Sequence, residues 1–333
     1  MADLGKYGCL YYIEFFNQCF RKTVKEIFKD SLWGIDLGGT KIEGVILKSA
    51  RDPEVLFRDR VPTEADQGYE RILRQVKKLV DMMCDFAQDT PVRIGLGTPG
   101  VHDPTLGTMK NCNTVAMNGK SMKQDLEKLI GIPLEMANDA DCFALAEAQL
   151  GVVKERFPDA RVVFGVILGT GVGGGIVIDG RAIIGRHGIA GEWGHNFLHE
   201  SGGPCYCGKS GCVETVISGP ALERYYFNET GNKKKLKDIV ALAESKVDPT
   251  AQRTMIRLVE YFGLSLSVII NILDPDVIVI GGGVGNIDLL YDRGIDSVKN
   301  YIFNHSLETP IVKPSLGDSA GVFGAAYLVN SSN

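Results

Sequence analysis

Four side chains suited to a soft divalent metal lie close together in the sequence: His195, Cys205, Cys207 and Cys212. Thiolate sulfur and imidazole nitrogen in a Cys3His set are what a tetrahedral structural zinc takes. They fall within Gly191 to Gly219, GEWGHNFLHESGGPCYCGKSGCVETVISG, where glycines and Pro204 predict a loop with little apolar material to bury. A closed metal site adds its binding energy directly to local folding, so zinc is expected to scaffold this loop. The gap between His195 and Cys205 exceeds common finger spacing, which leaves His199 and His187 as rival ligands. Two plainer readings stand beside zinc: reduced cysteines with a solvated histidine, or a disulfide among the three. Glu192 and Glu214 flank the cluster, and carboxylates held on a rigid loop can accept hydrogen bonds from a polyol.

A second kind of chemistry is written in the glycine turns. Asp36 precedes Gly38-Gly39-Thr40-Lys41. Tight glycines beside a hydroxyl expose backbone N–H groups that can cradle a phosphate, and a neighbouring Asp can hold Mg2+ directly or through water. The plain alternative is a good hairpin turn. The theme recurs at Gly169-Thr170-Gly171, followed by Val172-Gly173-Gly174-Gly175. That stretch matches GxGxxG formally, yet a β-branched run follows it where a dinucleotide site requires a helix, so a second phosphate hairpin fits better. Gly282 and Gly283 end a third apolar run, where a ligand such as the adenosine of a nucleotide could lie against the backbone. Asp139, beside Asn138, is placed at a strand end and a helix N-terminus, where the helix dipole favours the ionised form. It could equally be a capping acid.

The elements that must hold these groups alternate along the chain. Apolar runs at Leu32 to Leu47 predict two strands around the first turn. Helical spacing at Ile72, Val76, Leu79, Val80 and Met83 predicts a helix over Tyr69 to Asp89, and Val92 to Gly97 a buried strand entering Thr98-Pro99-Gly100. Met109 to Lys120 reads as an irregular loop; Ser121 to Ile130 as a helix; Pro133 to Ala137 as a strand; and Asn138 to about Leu150 as a helix. Arg161 to Asp179 repeats strand, glycine turn and strand, which implies an internal duplication. Pro220 to Ile270 is helical, with Lys233 to Lys237 read as a solvated charge run. Asp276 to Gly285 is a buried strand, and Leu316 to Val329 a closing helix on the first domain. The domains are expected at 31–147 plus about 317–333, and at 148–316 with the loop 191–219.

Bulk properties narrow the partners. The 333 residues suffice for two ordinary domains, and 44% hydrophobic with 23% charged residues describe a globular chain rich in turns, with 40 glycines. A net charge of −5 provides no basic field for nucleic acid or an anionic membrane. The other cysteines, Cys9, Cys19, Cys84, Cys112 and Cys142, show no framework spacing, as expected of reduced cytoplasmic thiols. Residues 1–30 carry an aromatic run from Leu10 to Phe20 and then a basic segment. The charges follow the apolar part, unlike a signal peptide, and Glu14 and Asn17 interrupt a run too short to span a bilayer. A docked helix and a start placed too far upstream both fit.

Taken together, DLGGTK, TPG, NDADCFALAEA, LGTGVGGG, GEWGH, CYCGKSGCVE and DPDVIVIGGG closely resemble the ROK sugar kinases, from about residue 32 to the C-terminus. The resemblance implies an α/β fold of two actin-like (ribonuclease H-like) domains with an interdomain cleft. It also implies ATP with Mg2+, transfer of the γ-phosphoryl group to a hexose hydroxyl such as the 6-OH, and a homodimer. By the same resemblance Asp139 is the general base. Pro99, Gly100, Asn113, Asn138, Glu192, His195 and Glu214 would surround the sugar. Asp36, Gly38, Gly39, Thr40, Lys41, Thr170, Gly171, Gly282 and Gly283 would meet phosphates, metal and adenosine. KNCNTVAMNGK, GEWGHN and the cysteine loop look most like bacterial fructokinases, with N-acetylglucosamine kinases close behind and glucokinase or mannokinase as further options. NDAD stands where the family usually has NDAN, and residues 1–30 have no family counterpart.

Two other classes compete. A sugar-responsive repressor of the same family would need a DNA-reading domain, for which thirty residues without a basic recognition helix are too few. A non-catalytic actin-like scaffold would have no use for Asp139 and the metal loop. Hexose phosphorylation, with fructose the expected substrate, accounts for more of the residues than either.

Overall fold

In the computed structural model, residues 27–330 are described. The expectations for residues 1–26 therefore lie outside the described residues. The chain divides into two compact units, one running to Asp139 and resuming at Ala325, the other spanning Ala140–Gly324.

The first unit is built on a sheet of order β3-β2-β1-β4-β7. Its strands are β1 (Leu32–Leu37), β2 (Lys41–Leu47), β3 (Val55–Pro62), β4 (Ile94–Thr98) and β7 (Leu134–Asn138). β1, β4 and β7 run parallel, while β2 and β3 form an antiparallel edge. Helix α1 (Tyr69–Ala87) covers one face, and its buried residues Ile72, Leu73, Val76, Leu79, Val80 and Met83 recur at helical spacing. Each such large side chain taken from water contributes about 1.5–3 kcal/mol. Gly44 on β2 makes the close approach: a Cβ there would stand 2.8 Å from Met83 Sδ. A small hairpin, β5 (Val101–Asp103) with β6 (Thr108–Lys110), and helix α2 (Met122–Ile130) complete this unit. The hairpin takes in the start of the stretch read as an irregular loop, because Val101 and Met109 are buried at 3% and 1% exposure.

The second unit repeats the plan. Its sheet has order β10-β9-β8-β11-β12, with β8 (Val162–Leu168), β9 (Val172–Ile178), β10 (Arg181–Ala182), β11 (Val277–Gly281) and β12 (Ile311–Val312). Again an antiparallel hairpin, β8–β9, leads into parallel neighbours, β11 and β12. The duplication read from the repeated glycine hairpins is thus a duplication of sheet topology. Helices α3 (Asp139–Gln149), α4 (Val152–Arg156), α5 (Val213–Ile217), α6 (Gly219–Thr230), α7 (Leu236–Glu244), α8 (Pro249–Leu273), α9 (Arg293–Lys299) and α10 (Ala320–Tyr327) follow the chain.

α8 is apolar and long enough to cross a membrane by length and composition, but half of that window is buried inside the protein. It is a core helix: Leu258, Phe262 and Leu266 are fully buried in one cluster with strand residues Phe164, Ile278 and Ile280. Asp248 caps it, accepting the N–H groups of Thr250 at 2.8 Å and Ala251 at 3.0 Å, with Pro249 in its first turn.

The units divide at Asp139/Ala140 and Gly324/Ala325, away from the expected 147/148 and 316/317. Packing gives the reason. α3 is buried nearly all round, and Ala144 lies under Gly165 of β8, where a Cβ would come within 2.6 Å of the Ala144 Cβ. Gly324 backs onto the Cys142 carbonyl more closely still, so α3 and most of α10 go with the second unit.

Candidate functional site

The polar groups of the first unit gather at the carboxyl ends of its parallel strands, the place where open α/β sheets bind ligands. Asp36 on β1 pairs in register with Gly97 of β4, and Thr98 pairs with Asn138 at the end of β7, immediately before Asp139. Burial pushes the Asp36 carboxyl up to about 6, and the nearby charges of Asp139 and Glu43 add to the rise. Two carboxylates that feel each other in this way suit a cation between them or a shared proton.

Glu43 lies opposite Asp36 on β2 and opposite Arg60 on β3. Its carboxylate accepts from Arg58 Nε at 2.5 Å and Arg60 Nε at 2.8 Å. Burial opposes its ionisation, but those hydrogen bonds outweigh burial and hold its carboxyl below the usual range. The first glycine turn is closed by Gly38 N–H on the Lys41 carbonyl at 2.9 Å, and Thr63 Oγ1 donates to the Gly38 carbonyl at 2.7 Å. Thr40 and Lys41 are exposed at its tip. On the neighbouring loop, Asn113 N–H donates to the Pro99 carbonyl at 3.1 Å. Pro99 and Asn113 are therefore joined at one corner, with Gly100 buried beside them.

The second unit carries a cluster of side chains that could hold a metal ion. His195, Cys205, Cys207 and Cys212 bring one ligand atom each to within 4.8 Å of one another. Cys205 Sγ lies 3.5 Å from His195 Nδ1, and Cys207 Sγ 3.6 Å from Cys212 Sγ. Zinc bonds of about 2.3 Å to sulfur and 2.0 Å to nitrogen put tetrahedral ligand atoms roughly 3.5–3.8 Å apart. The observed edges fit, whereas a disulfide requires about 2.05 Å between sulfurs. His199 is engaged elsewhere: its Nδ1 accepts from Ser201 N at 3.1 Å, and its ring packs on Tyr261. Of the rival histidines, it is His195 that joins the cysteines.

Close backbone approach positions this loop. The segment Gly191–His195 lies flush on β9, where a Cβ at Gly194 would sit 2.0 Å from the Val172 carbonyl oxygen. Gly191 makes the turn at φ +87 and meets the Gly174 carbonyl just as tightly. Trp193, between them, is buried and donates its ring N–H to the Gly173 carbonyl at 3.0 Å. The second glycine turn closes with Gly169 N–H on the Gly171 carbonyl at 2.9 Å, and Glu214 Oε2 accepts the Val172 N–H at 3.0 Å.

Tyr206 gave no sequence signal, yet its hydroxyl lies 2.9 Å from His195 Nε2. His195 thus turns Nδ1 toward Cys205 and Nε2 toward a phenol, a contact that orients its ring. Burial pushes the Tyr206 phenol up to about 12, and the charges of Glu214 and Glu192 add to it, so these side chains share one neighbourhood.

Beside the second turn opens a cavity of about 720 Å³, lined by Gly169, Thr170, Gly219, Glu223 and Gly283 among others. Gly282, next to the lining residue Gly283, turns the chain with φ +88 and a Cβ position only 2.5 Å from the Leu168 carbonyl. Lys235 and Lys237 also line it, so the run 233–237 is more than a solvated face. Leu236 within that run gives the reason: its N–H donates to Glu223 Oε1 at 3.0 Å and draws the segment onto α6.

Two sheets of the same topology, each headed by a glycine hairpin with acids or glycines at strand carboxyl ends, define a duplicated α/β protein of the actin-like ATPase class. The ROK family model matches residues 32–332, and the chain belongs to that family. It is similar to N-acetyl-D-glucosamine kinase of Vibrio vulnificus (strain YJ016), 36% identical over 307 residues that cover 89% of this chain and 98% of that one. The kinase of the same name from Erwinia tasmaniensis is 32% identical over 309 residues, 89% of this chain and 98% of its own. Among solved structures, a ROK hexokinase from Thermus thermophilus matches with TM-score 0.80 and 30% identity, covering 90% of this chain and 97% of that one. A ROK transcriptional regulator, a homologue of the E. coli MLC protein, shares the fold at TM-score 0.73 and 25% identity, over 90% of this chain and 77% of its own. Fold therefore does not separate kinase from regulator, and function must be read from the site.

Proposed function

We propose that the chain is an ATP-dependent sugar kinase acting on N-acetyl-D-glucosamine. The observation that carries this reading is its 36% identity, over nearly the whole length, to kinases of that name, together with acids at the places such chemistry needs them. Fructose, the substrate expected from loop wording, draws no support from these relatives. Another hexose, such as glucose, is the second reading, since the Thermus thermophilus neighbour is a hexokinase by name.

In the proposed reaction Asp139 takes the proton of a sugar hydroxyl as that oxygen attacks the γ-phosphorus, and the bond to the β–γ bridging oxygen breaks to release ADP. Asn138, Asn113, Pro99 and Gly100 hold the sugar without competing for the proton, and Glu192 and Glu214 accept its hydroxyl hydrogen bonds. Gly38, Gly39, Thr40, Lys41, Thr170 and Gly171 present N–H and side-chain donors to phosphate oxygens. Gly283, which Gly282 precedes in the turn, lines the cavity proposed to take adenosine. Asp36 fits Mg2+, whose charge, when bound, neutralises the phosphate oxygens. Zinc fits the His195, Cys205, Cys207 and Cys212 set by donor chemistry and spacing, and would fix the loop that carries the two glutamates. The reading includes a cytoplasmic homodimer, which sedimentation of the purified chain tests.

A coupled ADP-release assay across N-acetylglucosamine, N-acetylmannosamine, glucose, mannose and fructose decides the substrate. Preference for N-acetylglucosamine by more than tenfold in kcat/KM is expected, and preference for fructose or glucose replaces it. No turnover with any hexose, beside tight binding of one, would return the regulator.

A further inference from the structure

Asn118 has no role in the reading above, yet it is tied to the loop that carries Asn113. Its side-chain Oδ1 accepts the Cys112 N–H at 2.9 Å, and its Nδ2 donates to the Cys112 carbonyl at 3.2 Å. One amide thus satisfies both backbone groups of one residue, as a neighbouring strand would. Cys112 is the pivot of this corner. Its side chain is buried, and its Sγ stands so close to Gly100 that a Cβ there would come within 2.3 Å. The next residue, Asn113, bonds the Pro99 carbonyl through its N–H. Thr98 completes the path, its hydroxyl donating to the Gly100 carbonyl at 2.9 Å while its strand pairs it with Asn138.

The loop needs this brace. Between Cys112 and Asn118 only Met117 is buried, at 1% exposure, and a short turn spans Val115–Met117. Asn113 is exposed at the rim, and the loop also abuts the first glycine turn, with Thr114 Oγ1 3.7 Å from where a Gly39 Cβ would be. Asn118 is itself exposed, so it contributes little to the core. Replacing it removes two local hydrogen bonds at an exposed position, a small part of a domain's stability. An aspartate there could accept from Cys112 but could not donate to it.

We propose that Asn118 is a positioning residue for the sugar, a two-point clamp on Cys112 that fixes Asn113 and the Pro99–Gly100 turn in the binding pose. This rests on the kinase reading, since it assigns that surface to the sugar. Steady-state kinetics of Asn118→Ala and Asn118→Asp, with amide hydrogen exchange over residues 111–118, test it. Alanine should raise the sugar KM about tenfold, within the roughly 10²-fold that a misplaced positioning group can cost. Aspartate should raise it less, kcat and the ATP KM should stay within about twofold, and exchange at 111–118 should quicken in the alanine variant. An unchanged sugar KM overturns the assignment, whether or not exchange quickens. Equal rises in sugar and ATP KM overturn it too, by showing general loosening. A parent chain that neither binds nor phosphorylates any hexose sinks the kinase reading together with this one. An active parent beside an unaltered alanine variant sinks this one alone.

Discussion

Glu214 reaches from the metal loop to the second glycine turn, its Oε2 accepting the Val172 N–H at 3.0 Å. A Cβ on Gly171 would stand 2.8 Å from the same oxygen, so carboxylate and turn are in van der Waals contact. The cysteine loop and the second glycine turn are mechanically one piece in this unit. Glu214→Gln keeps shape and acceptor, and should raise the sugar KM more than it lowers kcat. Glu214→Ala leaves the turn unbraced, and should raise the ATP KM as well. Kinetics with each substrate varied separately check the difference, and an alanine variant with unchanged ATP KM would show that the brace does not matter.

The purified protein should carry about one zinc per chain, held by His195, Cys205, Cys207 and Cys212. Elemental analysis measures it directly. Cys207→Ser should lose the metal, lower the melting temperature and weaken sugar binding, because Cys212 is followed by α5, which carries Glu214. Metal-free protein with full activity and unchanged melting contradicts the assignment.

Asp139→Asn keeps the side-chain shape and removes the proposed base, so kcat should fall by roughly 10²–10⁴, the range for general base catalysis. Sugar affinity, read by titration, should change much less. Turnover within tenfold of the parent, beside a dead Glu192→Gln variant, would move the base to Glu192.

Asp36 ties stability to pH. Burial raises its carboxyl from 3.8 to about 6, so the folded state holds that proton more tightly than the unfolded chain does. Its contribution to stability is therefore present at low pH and is lost as pH rises through about 6. Without nucleotide or metal, Asp36→Asn should melt above the parent at pH 7, and the gap should close by pH 4. The same substitution should abolish Mg2+-dependent turnover, and parent kcat/KM should fall as pH drops below about 6. Thermal melts of both proteins across pH 4–8 check the sign; a gap that widens on acidification reverses it.

Much of this protein is legible in its sequence, where short-range chemistry decides. The apolar runs around Gly38–Gly39 and Gly169–Gly171 specify hairpins by local backbone preference alone, and both formed. Residue type and spacing likewise mark the three cysteines as a candidate metal set, and the fold brings them together. The tertiary structure decided what depends on packing across distance. His195 joins the cysteines and His199 does not, because Gly191 and Gly194 let the chain lie against β9 and aim the first ring, while Ser201 and Tyr261 occupy the second. The unit boundaries moved because Ala144 fits beneath Gly165, a contact between residues on different elements. Lys235 and Lys237 became cavity wall through the bond of Leu236 to Glu223, and Asn118 became a brace through the turn that folds it back on Cys112. Such pairings arise only when segments meet, so no window of sequence contains them.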